Sequence, residues 1–200
     1  MIQFDELGRL LDIAPPPAHP IDGGRSAEDW EGVESALSSV LPSDYKYIIN
    51  LYGSGDFVEV LYVLNPFCLQ PELNLMAQIG PEPEAFGSML ESYTRAKFGP
   101  FSANCPFEIY PHPGGIMPLA SESTGKDLFW ITLGKPEEWT IVRYDWRGGA
   151  AYERFDHGLS GFLIRWLDSE LASYLDGSDT TGRFSPVFCP LGRVRELREG

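Results

Sequence analysis

The sequence has few cysteines, few basic residues and no long apolar run. Cys68, Cys105 and Cys189 are odd in number and far apart, so neither a disulfide framework nor a CxxC metal or redox pair is present. No segment approaches the roughly 20 apolar residues that cross a bilayer. The N-terminal stretch MIQFDELGRLLDIA is interrupted by charges that the core of a signal peptide lacks. We therefore expect a cytoplasmic protein in a reducing compartment, without membrane contact.

The scarcity of basic residues also bears on partners. The chain has 15 Lys and Arg against 29 Asp and Glu, a formal net charge of -14. Because nucleic-acid binding depends on basic groups that displace counterions from phosphates, we expect no nucleic-acid partner. An acidic surface would speed encounter with a basic protein, but the same charge is equally explained by solubility alone.

What is present is enough apolar material for one core. The 200 residues are 43% hydrophobic and 13% aromatic. Residues 1–24 are predicted to form a short helix followed by the proline-rich spacer APPPAHP, and residues 25–175 to form the main domain. Residues 176–200 begin with the linker-like GSDTTG, and their apolar side chains predict a segment that folds back or contacts a partner. These side chains are Phe184, Val187, Phe188 and Leu191.

Two helices are predicted early in the domain. Ser26 and Asp29 form a variant of the capping box before a helix over Ala27 to Val40. In the next stretch, LPSDYKYIINLYGSGDF, Pro42 suits the first turn of a helix and Gly53 its C-terminal cap. One apolar stripe joins these ends, formed by Tyr45, Ile48, Ile49 and Tyr52.

The later segments predict strands with two further helices. FVEVLYVL is predicted as one strand that ends at Asn65, and EIYPHPGGIMPLA, DLFWITLG, EWTIVRYDW and AAYERFD follow as short strands between turns. Helices are predicted over residues 84–97 and 160–175. Closely spaced strands with short turns favour antiparallel pairing, so the predicted class is α+β, with a mostly antiparallel sheet packed against several helices in one domain.

No chemical constellation predicts catalysis. His19, His112 and His157 are each isolated from other soft ligands, so we expect no metal site. GLSGF lacks the spacing of a nucleophile elbow, and Ser160 is interpreted as a helix cap. We expect no catalytic, cofactor-binding or metal-binding residues, and no cofactor. The prominent aromatic side chains predict either core packing or an interaction surface; they are Tyr45, Tyr52, Trp130, Trp139 and Trp166.

Several motifs in order resemble the SUKH superfamily, which groups bacterial immunity proteins with fungal regulators of cell-wall synthesis (Smi/Knr type). They are W30xxVE34, LPSDYKYIINLYGSG, the block TGKDLFWITLGKPEEWTIV, and then YERF and LSGFLIRWL, over about residues 26–170. The chain departs from the family pattern at Lys126, in a long insert over residues 81–113 and in the tail after Leu175. The resemblance implies a SUKH-like α+β domain in which ten residues define the fold: Trp30, Glu34, Leu41, Pro42, Tyr45, Tyr52, Gly53, Gly55, Trp130 and Trp139.

The resemblance also implies a function. We expect a non-enzymatic immunity protein that binds and neutralises a cognate toxin, of the nuclease or deaminase class and expected to be basic, by occluding it. The alternative is a regulatory or scaffold protein with an endogenous cell-wall or signalling partner. A third possibility is a hydrolase, which would require a cleft with convergent carboxylates or histidines and shifted pKa values, and the sequence does not show one. Acidic candidate contacts are Asp56, Glu59, Glu122, Asp127, Glu137 and Glu138. Whether the chain associates with itself stays open.

Overall fold

A seven-stranded antiparallel sheet organises the part of the chain that the structure describes. The computed structural model describes residues 4–79, 107–145, 151–175 and 187–191. The strands are β1 (Gly55–Phe57), β2 (Leu61–Val63), β3 (Ile116–Glu122), β4 (Lys126–Ile131), β5 (Thr140–Asp145), β6 (Ala151–Phe155) and β7 (Phe188–Pro190). Their order across the sheet is β6-β5-β4-β3-β2-β1-β7, and every neighbouring pair is antiparallel. The predicted α+β class in a single domain is confirmed.

Five α-helices accompany the sheet in the described parts of the chain. They are α1 (Phe4–Ile13), α2 (Ala27–Leu37), α3 (Ser43–Tyr52), α4 (Leu75–Ile79) and α5 (Leu159–Leu175). Helix α1 packs along α5, and α3 also contacts α5, while α4 lies against β3. The helix predicted over residues 84–97 lies outside the described residues. None of the described helices has both the length and the apolar character that a membrane span requires.

Helix α2 begins as predicted but ends early. Ser26 accepts from the backbone N–H of Asp29, whose carboxylate accepts in turn from the backbone N–H of Ser26. At the other end, Ser38 adopts the left-handed conformation with φ 53°, which closes the helix after Leu37. The predicted extension to Val40 was therefore wrong, and that side chain is 54% exposed.

The predicted single strand over FVEVLYVL is also wrong, because the chain turns inside it. Strands β1 and β2 form a tight hairpin, with Val58 at φ 50° and Glu59 at φ 60° between them. The Asp56 carboxylate accepts from the backbone N–H of Glu59 at 2.8 Å, which supports the turn. Hairpin turns of this kind normally contain Gly or Asn, so the sequence carries no signal for this one.

The tail contributes to the same core as the domain. Strand β7 pairs with β1, and the Phe188 ring lies 5.1 Å from that of Tyr52 and 5.0 Å from that of Phe57. The predicted fold-back is confirmed for residues 187–191, whereas Phe184 lies outside the described residues. Helix α1, before the proposed boundary at residue 25, also places Leu7 and Leu10 in the main core.

Candidate functional site

The residues of the family motif are mainly structural. Tyr45 and Tyr52 are fully buried, and their hydroxyls donate to the backbone carbonyls of Leu64 and Ala14, each at 2.6 Å. Burial raises the pKa of Tyr45 well above its usual value, and also that of Tyr52, to which the neighbouring Tyr47 adds. These phenols therefore anchor α3 to two other segments as neutral hydrogen-bond donors.

Glu34 connects α2 to the start of α3. Its Oε1 accepts from the backbone N–H of Leu41 at 3.0 Å and from Nζ of Lys46 at 2.7 Å. Leu41 and Pro42 are themselves buried, and Pro42 occupies the N-cap position directly before α3, one residue ahead of the first turn in which the sequence predicted it. The backbone N–H of Leu41 lies beyond the end of α2 and has no helical carbonyl to bond to, so the Glu34 side chain serves as its acceptor.

Two glycines of the motif are required by close approach of the backbone. Gly53 has φ 70°, and a Cβ there would overlap the carbonyl of Ile21. A Cβ at Gly55 would overlap the carbonyl oxygen of Cys189 in β7. The prediction that Gly53 closes α3 is confirmed, since its N–H bonds to the carbonyl of Ile49.

The motif tryptophans form a continuous aromatic chain through the molecule. Ring centroids are 6.0 Å apart from Trp30 to Tyr45, 4.8 Å from Tyr45 to Trp130 and 5.9 Å from Trp130 to Trp139. At one end of this chain, the indole N–H of Trp30 donates to the Asn50 side chain at 3.2 Å. At the other end, Nε1 of Trp139 is buried and has no hydrogen-bond acceptor among the described residues.

The acidic candidates divide into buried and exposed groups. Asp56 and Glu122 are only 1% and 5% exposed, so the prediction that they contact a partner at the surface was wrong. Asp56 supports the hairpin turn, and Glu122 forms an ion pair with Arg143. Asp127 is partly buried on β4. Glu59, Glu137 and Glu138 are exposed and stay candidates, although Glu138 also accepts from the backbone N–H of Lys135.

A cleft that no sequence motif indicated lies beside Trp139. It has a volume of about 190 Å³ and lies between the ends of α1, α3 and α5 and the β4–β5 turn. Four carboxylates line it, those of Glu6, Asp44, Glu137 and Asp156. No lysine or arginine is among its described lining residues, and none of the four forms an ion pair with a described residue.

Ser160 contacts two of the four carboxylates in the cleft. Its backbone N–H donates to Oδ2 of Asp44 at 3.0 Å, and its hydroxyl lies 3.3 Å from the same oxygen and 3.5 Å from Oε2 of Glu6. Ser160 lies inside the first turn of α5, so its interpretation as the cap was wrong: the capping oxygen comes from α3. No adjacent sequence pattern could show this, because the two partners are 116 residues apart.

A second, larger cavity also has Trp139 in its lining. This groove, about 700 Å³, is formed by the end of α2, residues 110–113 and the β4–β5 turn. The hydroxyl of Tyr110 donates to the carbonyl of Leu37 and fixes one wall to α2. Burial raises the pKa of Tyr110, and a hydrogen bond with Ser39 opposes that shift. Pro111 and Pro113 are exposed on its lining.

Burial raises the pKa of Tyr45, Tyr52 and Tyr110, and hydrogen bonds with Ser26 in the capping box lower the pKa of Asp29. Within the described ranges, no three His, Cys, Asp or Glu side chains are arranged to hold a metal ion. His157 lines the acidic cleft without another soft ligand. Comparison of the sequence with protein-family models gives no match, and comparison with curated proteins gives none either.

Proposed function

We propose that this protein is a non-enzymatic immunity protein that binds a cognate basic toxin, of the nuclease or deaminase class, and neutralises it by covering its active site or an adjacent surface. The observation that carries the proposal is the acidic cleft, whose four carboxylates have no cationic partner among the described residues. The resemblance to the SUKH superfamily supplies the toxin-binding class.

The charge distribution supports a binding role through the rate of encounter. With a net charge of -14, the chain attracts a basic partner over a distance of about a Debye length, roughly 8 Å at physiological ionic strength. Electrostatic steering raises association rate constants from about 10⁵–10⁶ M⁻¹s⁻¹ to as much as about 10⁸ M⁻¹s⁻¹ or more at low salt. Rapid capture suits a protein that must meet a toxin before the toxin meets its substrate.

The test begins with capture and continues to function. Tagged protein is used to pull down partners from the native organism at low and moderate salt, and the partners are identified by mass spectrometry. Each captured protein is then expressed in a bacterial host with and without this chain. We expect one basic protein, held more weakly as salt rises, that stops growth alone but not when co-expressed.

Two outcomes would contradict the proposal. Capture of only endogenous envelope or signalling proteins, none of them toxic, would favour the scaffold function. A toxic partner that remains toxic during co-expression would show binding without neutralisation.

A further inference from the structure

A third cavity, which has α4 as one wall and is called the α4 cavity below, lies on the face of the sheet away from α3. Trp130 lines the acidic cleft and packs against Tyr45 of α3, with 4.8 Å between the ring centroids. Phe129, the preceding residue of β4, lines the α4 cavity. Successive residues of a strand point to opposite faces of a sheet, so the acidic cleft and the α4 cavity are separate sites on opposite faces.

We propose that the α4 cavity binds a short segment of a partner protein, which inserts a large apolar side chain into the cavity and places an adjacent lysine or arginine beside Glu72. Because the site is separate from the acidic cleft, this inference goes beyond the proposed function and does not depend on it. A second protein can then be held while the cleft is occupied.

The size and lining of the α4 cavity suit an apolar side chain. Its volume is about 570 Å³, within the range of about 300–1,000 Å³ that is typical of ligand pockets. The lining is mainly apolar, with Tyr62, Pro118 and Phe129 on the sheet side and Leu73 and Ala77 on the opposite wall. Ala77 is exposed, so the cavity can be reached from solvent. An apolar pocket with a polar rim is where interfaces place their anchoring side chains.

Hydrogen bonds hold the α4 wall in place before any ligand arrives. Nε2 of Gln78 donates to the carbonyl of Pro71 at 2.9 Å, which ties α4 to the turn before it. The Asn74 side chain accepts from the backbone N–H of Ala77 at 2.9 Å and donates to the carbonyl of Cys68 at 2.6 Å. A preformed wall lowers the entropy cost of ordering the site on binding.

The charge of the lining selects a basic neighbour for the inserted side chain. Glu72, Glu122 and Asp127 line the cavity, and no lysine or arginine is among its described lining residues. Glu122 forms an ion pair with Arg143, whereas Glu72 is exposed and has no ion-pair partner among the described residues. A partner lysine or arginine is attracted to Glu72 and to the net charge of -14, and a partner carboxylate is repelled.

The test uses acetyl-phenylalanyl-lysine methylamide as the probe. One control, acetyl-alanyl-lysine methylamide, lacks the ring, and the other, acetyl-phenylalanyl-norleucine methylamide, lacks the charge. Two-dimensional NMR of the ¹⁵N-labelled full chain follows the assigned backbone amide signals of Ala77, Gln78 and Ser121, which line the cavity. We expect the probe to shift these signals with millimolar affinity, the control without the ring to bind about tenfold more weakly, and the control without the charge about threefold more weakly.

Matched variants localise the binding. Ala77→Trp fills the cavity from an exposed position on α4, and Ala36→Trp adds the same side chain at an exposed position on α2. We expect the first variant to lose at least about tenfold in affinity for the probe and the second to stay within about twofold.

Charge variants form the second matched pair. Glu72→Gln should lose about threefold in affinity for the probe, whereas Glu31→Gln, which removes an exposed charge from α2, should have no measurable effect. Thermal unfolding shows whether each variant keeps its fold. If Ala77→Trp is destabilised, the comparison of Glu72→Gln with Glu31→Gln decides.

The site is refuted if the probe shifts none of these signals, if the controls bind as tightly as the probe, or if the variants at residues 72 and 77 bind it as well as their matched controls do. A gain of more than about threefold in probe affinity in R193Q/R195Q/R198Q would identify the chain's own C-terminal segment as the occupant and overturn the proposal. Signals that move with protein concentration alone would identify a second copy as the occupant and also overturn it. None of these results depends on whether a toxin is neutralised.

Discussion

Replacing Glu34 separates its structural contact from its charge. In Glu34→Ala the buried Leu41 loses the acceptor of its N–H, which costs about 1–3 kcal/mol. The ion pair with Lys46 is lost as well, and because its side chains are 16% and 25% exposed we add only about 0.2–1 kcal/mol. The expected total is about 2 kcal/mol, or a fall in Tm of roughly 4–8 °C for a chain of this size.

Glu34→Gln and Lys46→Met are the matched controls. Glutamine keeps a carbonyl oxygen for the N–H of Leu41, so we expect a loss of only about 0.5 kcal/mol, and a similar loss for Lys46→Met. The assay is urea unfolding followed by circular dichroism at low and high salt, with an unchanged m value as the check on two-state behaviour. The small losses should shrink at high salt, whereas most of the loss in Glu34→Ala should remain.

Two results would refute this reasoning. If Glu34→Gln destabilises as much as Glu34→Ala, the charge and not the backbone contact is decisive. If Glu34→Ala leaves stability unchanged, the contact contributes nothing, and the interpretation of Glu34 as a fold-defining residue fails.

Three further predictions test the scaffold. Gly53→Ala should cost at least about 2 kcal/mol, because φ is 70° and the new Cβ overlaps the carbonyl of Ile21; chemical denaturation measures it, and a loss under 0.5 kcal/mol would contradict it. Phe188→Ala should cost about 3–5 kcal/mol of unfolding free energy and increase hydrogen exchange in β1, because β7 pairs with β1 and the ring is buried. Unchanged stability and exchange would contradict a structural role for the tail. Since the pKa values of Tyr45 and Tyr52 are raised in the folded state, stability should be fully present below about pH 10 and fall as pH rises through their folded values; phenolate absorbance should appear together with unfolding, not before it.

The sequence predicted those elements whose ends are encoded by local chemistry. The box of Ser26 and Asp29 and the glycine after Tyr52 identified the start of α2 and the end of α3. Alternating and β-branched runs identified β3 to β6. These signals act over a few residues, so a single sequence carries them.

The elements that the sequence did not predict depend on contacts between distant parts of the chain. The hairpin between β1 and β2 depends on Val58 and Glu59 at positive φ, which tertiary contacts impose against local preference. The backbone N–H of Val58 donates to the carbonyl of Val187, far along the chain, and such a partner leaves no local pattern. Only long-range information could have predicted it.

The candidate site was missed for the same reason. Glu137 and Trp139 were identified as candidates, but Glu6, Asp44 and Asp156 were not, because the cleft assembles them from separate segments. Conversely, sequence position gave no sign that Asp56 and Glu122 would be buried. Charge counted along the sequence therefore predicted an acidic surface but not where it concentrates.

The most direct test of the proposed function is a titration of the captured toxin's nuclease or deaminase activity with the purified protein. Neutralisation by occlusion predicts a linear loss of activity that ends at one molecule of this protein per toxin, with the protein recovered unchanged. Activity that persists in the saturated complex would contradict occlusion. Activity abolished by a small fraction of an equivalent would show turnover, and would contradict the proposal of a non-enzymatic immunity protein.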